Sequence, residues 1–193
     1  MISKNIQYSL FGLICLVQWW VPFNMINYNE NILANGKAYK FLSAPVDPTD
    51  PFLGKYIDLN FEEMSAEVDS SVDWKYGQKV FVILGKDSLG FAKIISISAI
   101  EPNEKLDFVD ATINYVSRES VIKVSVNYPF DRFYMEEFKA PEADRVYAEV
   151  SADSLETAYA LVMVKEGKAV IKDVMIGETS LKDIVKKRMS KNE

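Results

Sequence analysis

The chain has 193 residues and a net charge of −6, a balance that argues against a nucleic-acid partner, because phosphate binding needs a Lys/Arg surplus. It has no histidine, which removes the commonest general base, Ser/His and Cys/His catalysis and the usual zinc ligands. Its single cysteine, Cys15, excludes an intrachain disulfide and reads as a buried structural thiol, since the bulky Leu13-Ile14 before it do not suit lipid attachment.

Tyr8 to Met25 carries no charge and is long enough for a short membrane span, with Tyr8 and Trp19-Trp20 suited to the interfaces and Pro22 near its end. Lys4 precedes this run and no cation follows it until Lys37, so the positive-inside rule puts the N-terminus in the cytoplasm. A cleaved signal peptide is the rival reading, but Trp-Trp-Val-Pro-Phe-Asn lacks the small residues of a cleavage site. A buried core helix is the third. The favoured division is an anchor over residues 1–26, a linker or short helix over 27–37, and one β-rich domain over 38–193.

Ala38 to Leu42 alternates as a strand does, and so does Lys55 to Glu62. Between them, Pro45, Pro48 and Pro51 exclude ladder pairing and stiffen a loop. Ser65 to Tyr76 reads as a polar loop anchored by Trp74. Three hairpins follow from the patterning: Lys79–Leu84 with Phe91–Ser98, Phe108–Val116 with Val121–Tyr128, and Thr157–Val164 with Ala169–Met175. Ala140–Glu149 reads as a short helix, and Ser180–Met189 as a C-terminal helix begun by Thr179 or Ser180. The C-terminal cations Lys182, Lys186, Lys187, Arg188 and Lys191 read as a solvated helix face. The expected class is α+β: mainly antiparallel β hairpins in a sheet or small barrel, one or two short helices, and one N-terminal transmembrane helix.

Pro45-Val-Asp-Pro48, Asp50-Pro-Phe52 and Gly54-Lys-Tyr-Ile-Asp-Leu-Asn-Phe61 together resemble the signature of the GDYXXLXY protein family. Gly54, Tyr56 and Leu59 match the signature; Lys55 stands for its Asp and Phe61 for its last Tyr. Arg132-Phe-Tyr-Met-Glu-Glu137 is similar to the aromatic-acidic stretch downstream in that family. The resemblance implies a bacterial membrane-anchored protein without an assigned activity, from a group often encoded beside multi-spanning membrane proteins. Lys55 argues against any mechanism that needs the family Asp.

The binding or motif candidates are therefore Asp47, Asp50, Gly54, Tyr56, Leu59, Phe133, Glu136 and Glu137. Gly54 suits a backbone conformation that other residues resist, and Tyr56 either packs on the sheet or offers its hydroxyl. Asp47, Asp50 and Asp58 with Glu62 and Glu63 form an oxygen-only set, but Asp beside Pro is ordinary turn chemistry and EF-hand spacing is absent, so no metal or cofactor is expected. A Ser/Lys dyad drawn from Ser43, Ser65 or Ser96 with Lys40, Lys55 or Lys93 has no distinguishing spacing. The expected function is an extracytoplasmic interaction domain, single-pass in the bacterial cell membrane, whose partner is a multi-spanning membrane protein. The alternative is an envelope enzyme or carbohydrate-binding domain in which Asp47 or Asp50 meets Glu136 or Glu137.

Overall fold

Lys4 to Asn35 forms one helix, α1, in the computed structural model, which describes residues 4–43, 56–103, 105–136, 138–152 and 157–190. Large apolar side chains stand out on all its sides, from Ile6 through Leu10, Leu16 and Trp20 to Ile26 and Tyr28, and none of its most apolar window is buried. That rules out the core-helix reading. The helix is long and apolar enough to cross a membrane, a test that a signal sequence also passes. Pro22 lies inside the helix rather than near its end, and Cys15 is half-buried rather than buried.

The polar stretch after Met25 continues the same helix instead of breaking it. Two of its asparagines are bonded: Asn35 Nδ2 donates to Asn31 Oδ1 at 3.0 Å, and Lys165 Nζ donates to the same oxygen at 2.9 Å. Ile32 is buried against the domain. Only Gly36 separates α1 from the first strand, and a Cβ there would lie 3.2 Å from Met163 Cβ and from Val164 N. The helix end and the sheet therefore meet at a joint that only glycine fits.

The strands are β1 (Lys37–Leu42), β2 (Tyr56–Asp58), β3 (Ser65–Glu67), β4 (Lys79–Lys86), β5 (Ala92–Ser98), β6 (Phe108–Arg118), β7 (Ile122–Asn127), β8 (Arg132–Tyr134), β9 (Ala158–Lys165), β10 (Lys168–Ile176) and β11 (Thr179–Ser180). Two helices complete the domain, α2 (Ala140–Ala152) and α3 (Leu181–Met189). The three expected hairpins are β4–β5, β6–β7 and β9–β10. The five-stranded sheet runs β3-β7-β6-β4-β5, the four-stranded sheet β1-β9-β10-β11, and β2 pairs with β8. The class is α+β, as expected: antiparallel hairpins curled into a nearly closed small barrel, with the long apolar helix at the N-terminus.

Register shifts supply the curl. Ile95 in β5, Asn114 in β6 and Lys172 in β10 are extra residues in their ladders, and such bulges increase local twist. The edges then meet. Ile94 N of β5 donates to Glu63 Oε2 at 3.4 Å, beside β3, and Lys40 of β1 bridges Phe91 next to β5. The β9–β10 turn closes onto β6, where Asp110 N donates to Gly167 O at 2.8 Å. Gly167 has φ +77, and a Cβ there would lie 2.7 Å from both Asp110 Oδ1 and Phe108 Cε2.

One apolar core joins these sheets. Its centre is aromatic: Phe41, Phe61, Tyr128 and Phe130 have ring centroids 5.0 to 6.1 Å apart. Tyr128 donates its hydroxyl to Glu63 O at 2.8 Å, and burial pushes its phenol well above the usual range. Trp74 is buried with its ring N–H on Asp69 O at 2.9 Å, the anchor expected for that loop. Helix α2 adds Ala143, Val146 and Tyr147 to the core, and α3 adds Leu181 and Val185. Ser180 caps α3, accepting from Lys182 N at 3.2 Å. Among the C-terminal cations, Arg188 is bound to Glu149 at 2.9 Å and Glu142 at 3.6 Å.

Two expectations need correction. Of the Lys55 to Glu62 stretch, Tyr56 to Glu62 is described and keeps the alternation, with Ile57, Leu59 and Phe61 buried, but only Tyr56–Asp58 makes a ladder there; Phe61 joins Ser43 by an isolated bridge. The polar 65–76 stretch begins with a strand, because β7 offers Ala66 and its neighbours an open edge.

Candidate functional site

The described ends of the two segments that carry the family resemblance, remote in sequence, lie side by side. Tyr56 pairs with Tyr134, Ile57 with Phe133, and Asp58 with Arg132. Leu59 N extends the contact, donating to Asp131 O at 2.7 Å. A two-stranded ribbon is marginal alone, and this one is held by its inner face: Ile57, Leu59 and Phe133 are buried.

The outer face is polar and aromatic. Tyr56 and Tyr134 have ring centroids 5.6 Å apart, and the Arg132 guanidinium lies 4.8 Å from the Tyr56 ring centre. Arg132 Nε is 3.6 Å from Asp58 Oδ1. Tyr134 is 64% exposed, so it presents a ring face to solvent rather than to the core. Lys182 of α3 places its ammonium 5.0 Å from the Phe133 ring centre. Such cation–ring contacts contribute roughly 0.5–1 kcal/mol each at exposed sites. The arrangement is an exposed surface with apolar ring faces and fixed charges.

Of the sequence candidates, Tyr56, Leu59 and Phe133 are thus brought together, Leu59 and Phe133 as supports and Tyr56 as part of the outer face. Glu136 lies at the edge of this site, lining a cleft with Tyr134 and Lys182: its carbonyl accepts from Lys139 N at 2.8 Å and Ala140 N at 3.1 Å, and its carboxylate pairs with Lys139 at 2.8 Å. It starts α2. Asp47, Asp50, Gly54 and Glu137, with the Pro-rich loop, lie outside the described residues. Of the serines and lysines considered, the Ser43 hydroxyl bonds that of Tyr147, and the Lys40 ammonium lies 5.2 Å from the Tyr159 ring centre. Among the described residues no carboxylate, cysteine and histidine set is grouped to hold a metal.

A second cluster escaped the sequence reading. Tyr39 donates to Asp107 Oδ2 at 2.7 Å, and Lys37 bonds the same oxygen. They sit beside a cleft of about 510 Å³ that Asn35 of α1 also lines. Burial alone would raise the Asp107 carboxyl; the bonds from Lys37 and Tyr39 and the charges of Lys37 and Lys86 outweigh it and hold it below its ordinary 3.8. Burial, then the Asp107 bond and charge, push the Tyr39 phenol well above 10.0.

The signs set a stability window. The depressed Asp107 contributes stability above pH 3.8 that is lost as pH falls through its folded value. The raised Tyr39 contributes stability below pH 10.0 that is lost as pH rises towards its folded value. Asp107→Asn is expected to flatten the acid limb of a urea-midpoint-versus-pH curve and leave it level between about pH 5 and pH 9. An unchanged acid limb would assign acid sensitivity to other carboxylates.

The model of the family described as GDYXXLXY protein matches residues 18–174, from within α1 to β10. The match spans both ribbon strands and the α1 joint. No curated protein and no solved structure matches the chain.

Proposed function

The chain belongs to the GDYXXLXY protein family, and on that premise we propose that it is a membrane-anchored, extracytoplasmic interaction domain that docks on a multi-spanning membrane protein. The family has no assigned activity, so the reading rests on this chain's own surfaces. The observation that carries it is α1: its apolar sides from Ile6 to Tyr28 are uncovered, while its last turn is packed into the domain through Ile32. A bilayer covers such a helix, and a joint with Gly36 alone between helix and sheet turns the tether into part of the binding surface. Ile6 and Ile26 stand about 30 Å apart along it, the thickness of a hydrocarbon core, with Tyr28 just beyond. The lone Lys4 before the span favours a cytoplasmic N-terminus. The ribbon face of Tyr56, Tyr134 and Arg132 offers the partner aromatic and charged contacts.

Affinity purification of the full chain in mild detergent tests this. A multi-spanning protein is expected to co-purify in stoichiometric amount, and Tyr134→Ala with Arg132→Ala to reduce its recovery several-fold. Repeated recovery of the protein alone would count against it. A carbohydrate-binding reading draws on the same exposed Tyr134 ring; saturable quenching of tryptophan or tyrosine fluorescence by envelope glycans would favour it instead.

A further inference from the structure

Resting on the reading of α1 as a membrane span, we propose that the groove between α1, β8, β10 and α3 seats the headgroup of an anionic phospholipid. The groove encloses about 580 Å³. Asn29 and Leu33 of α1 form one wall, Phe133 is part of the floor, and Arg132, Lys172 and Lys182 rim it. No carboxylate among the described residues lines it, in a chain whose 28 acidic residues outnumber its 22 basic ones.

The two lysines reach the rim by local exceptions. Lys172 is the extra residue of the β10 bulge, and bulges re-aim side chains. Lys182 is in the first turn of α3, the end where the helix dipole disfavours a cation. Its ammonium rests over Phe133; among the described residues neither lysine is in an ion pair, and Glu136, which lines the adjoining cleft with Lys182, is paired with Lys139. Two lysines placed against local preference beside a span are what an anionic headgroup requires.

The depth agrees. Ile6 to Ile26 extends about 30 Å, which fills the hydrocarbon layer. Asn29 and Leu33 then lie about 5 and about 10 Å beyond its edge, at headgroup level. A phosphate there meets the ammonium groups of Lys172 and Lys182, and the acyl chains run back along the uncovered side of α1.

The test uses the full chain purified in mild detergent, titrated with short-chain phosphatidylglycerol, short-chain phosphatidylcholine, or free glycerol phosphate, and followed by native mass spectrometry and melting. Phosphatidylglycerol is expected to be retained and to raise the melting temperature; the other two are not. K172A/K182A should melt within about 4 °C of the parent without lipid, since both side chains are exposed and the Lys182 contact with Phe133 is the interaction lost, and bind phosphatidylglycerol at least about tenfold more weakly. K172R/K182R and K186A/K187A should bind as the parent does. Equal retention of phosphatidylcholine, saturation by glycerol phosphate, unaltered binding by K172A/K182A, or an equal loss in K186A/K187A would overturn the proposal. The same preparations are scored for residence in carbonate-washed membranes. Residence without lipid preference removes the groove proposal alone; a soluble protein lacking α1 removes the membrane reading as well.

Discussion

Replacing Phe41 with alanine is expected to lower the stability of the β domain by about 3–5 kcal/mol. Phe41 is 1% exposed and lies edge-on or tilted to three rings, with centroids at 5.4 Å from Phe61, 5.3 Å from Tyr128 and 5.1 Å from Phe130. Those rings come from the segments after β2 and after β7, so Phe41 ties the four-stranded sheet to the rest of the barrel. Removing it leaves a cavity that β1 cannot collapse into, because Lys37 to Leu42 are fixed in register against β9. Single domains are stable by only about 5–15 kcal/mol, so the loss is a large fraction of the total. Urea unfolding in mild detergent, followed by circular dichroism, measures it. A loss below about 1 kcal/mol would mean that the aromatic cluster is not the centre of the fold.

The second expected result concerns the span. Leu16 stands midway between Ile6 and Ile26 and is 70% exposed in the chain alone. An arginine there is expected to disfavour insertion by about 2.5–3.5 kcal/mol on translocon-derived scales, a shift of roughly a hundredfold. Leu16→Arg should therefore deplete the protein from carbonate-washed membranes. Leu16→Phe should not. Neither change touches the β domain, whose urea midpoint should stay the same once the protein is isolated. Unchanged membrane residence of Leu16→Arg would show that α1 does not sit in the bilayer with this register.

The hairpins were legible because each is local: alternation on both arms and a turn of polar residues or glycine between them. Glu166 and Gly167 show why, since both take positive φ in a turn that continues the strand twist. Of the short strands, β3, β8 and β11 were not legible. β8 has only Arg132 to Tyr134, too few residues to show a period, and its partner β2 is remote in sequence. The family resemblance flagged both segments, yet their pairing is a property of the fold. The Tyr39–Asp107 bond has the same character, joining residues 68 positions apart with no pattern to announce them. Asn27 to Asn35 read as either a short helix or a linker, because asparagine favours caps and turns until tertiary partners such as Lys165 hold it. The candidates Tyr56 and Phe133 were found as motif residues; Tyr134 and Arg132, which share the outer face, were not singled out, since exposure cannot be read from type alone.

N-terminal sequencing of the protein recovered from carbonate-washed membranes tests the membrane-anchored reading most directly. The account predicts a membrane-resident chain whose N-terminus lies ahead of Tyr8, with all of the apolar helix retained. A soluble chain starting beyond residue 20 would contradict it.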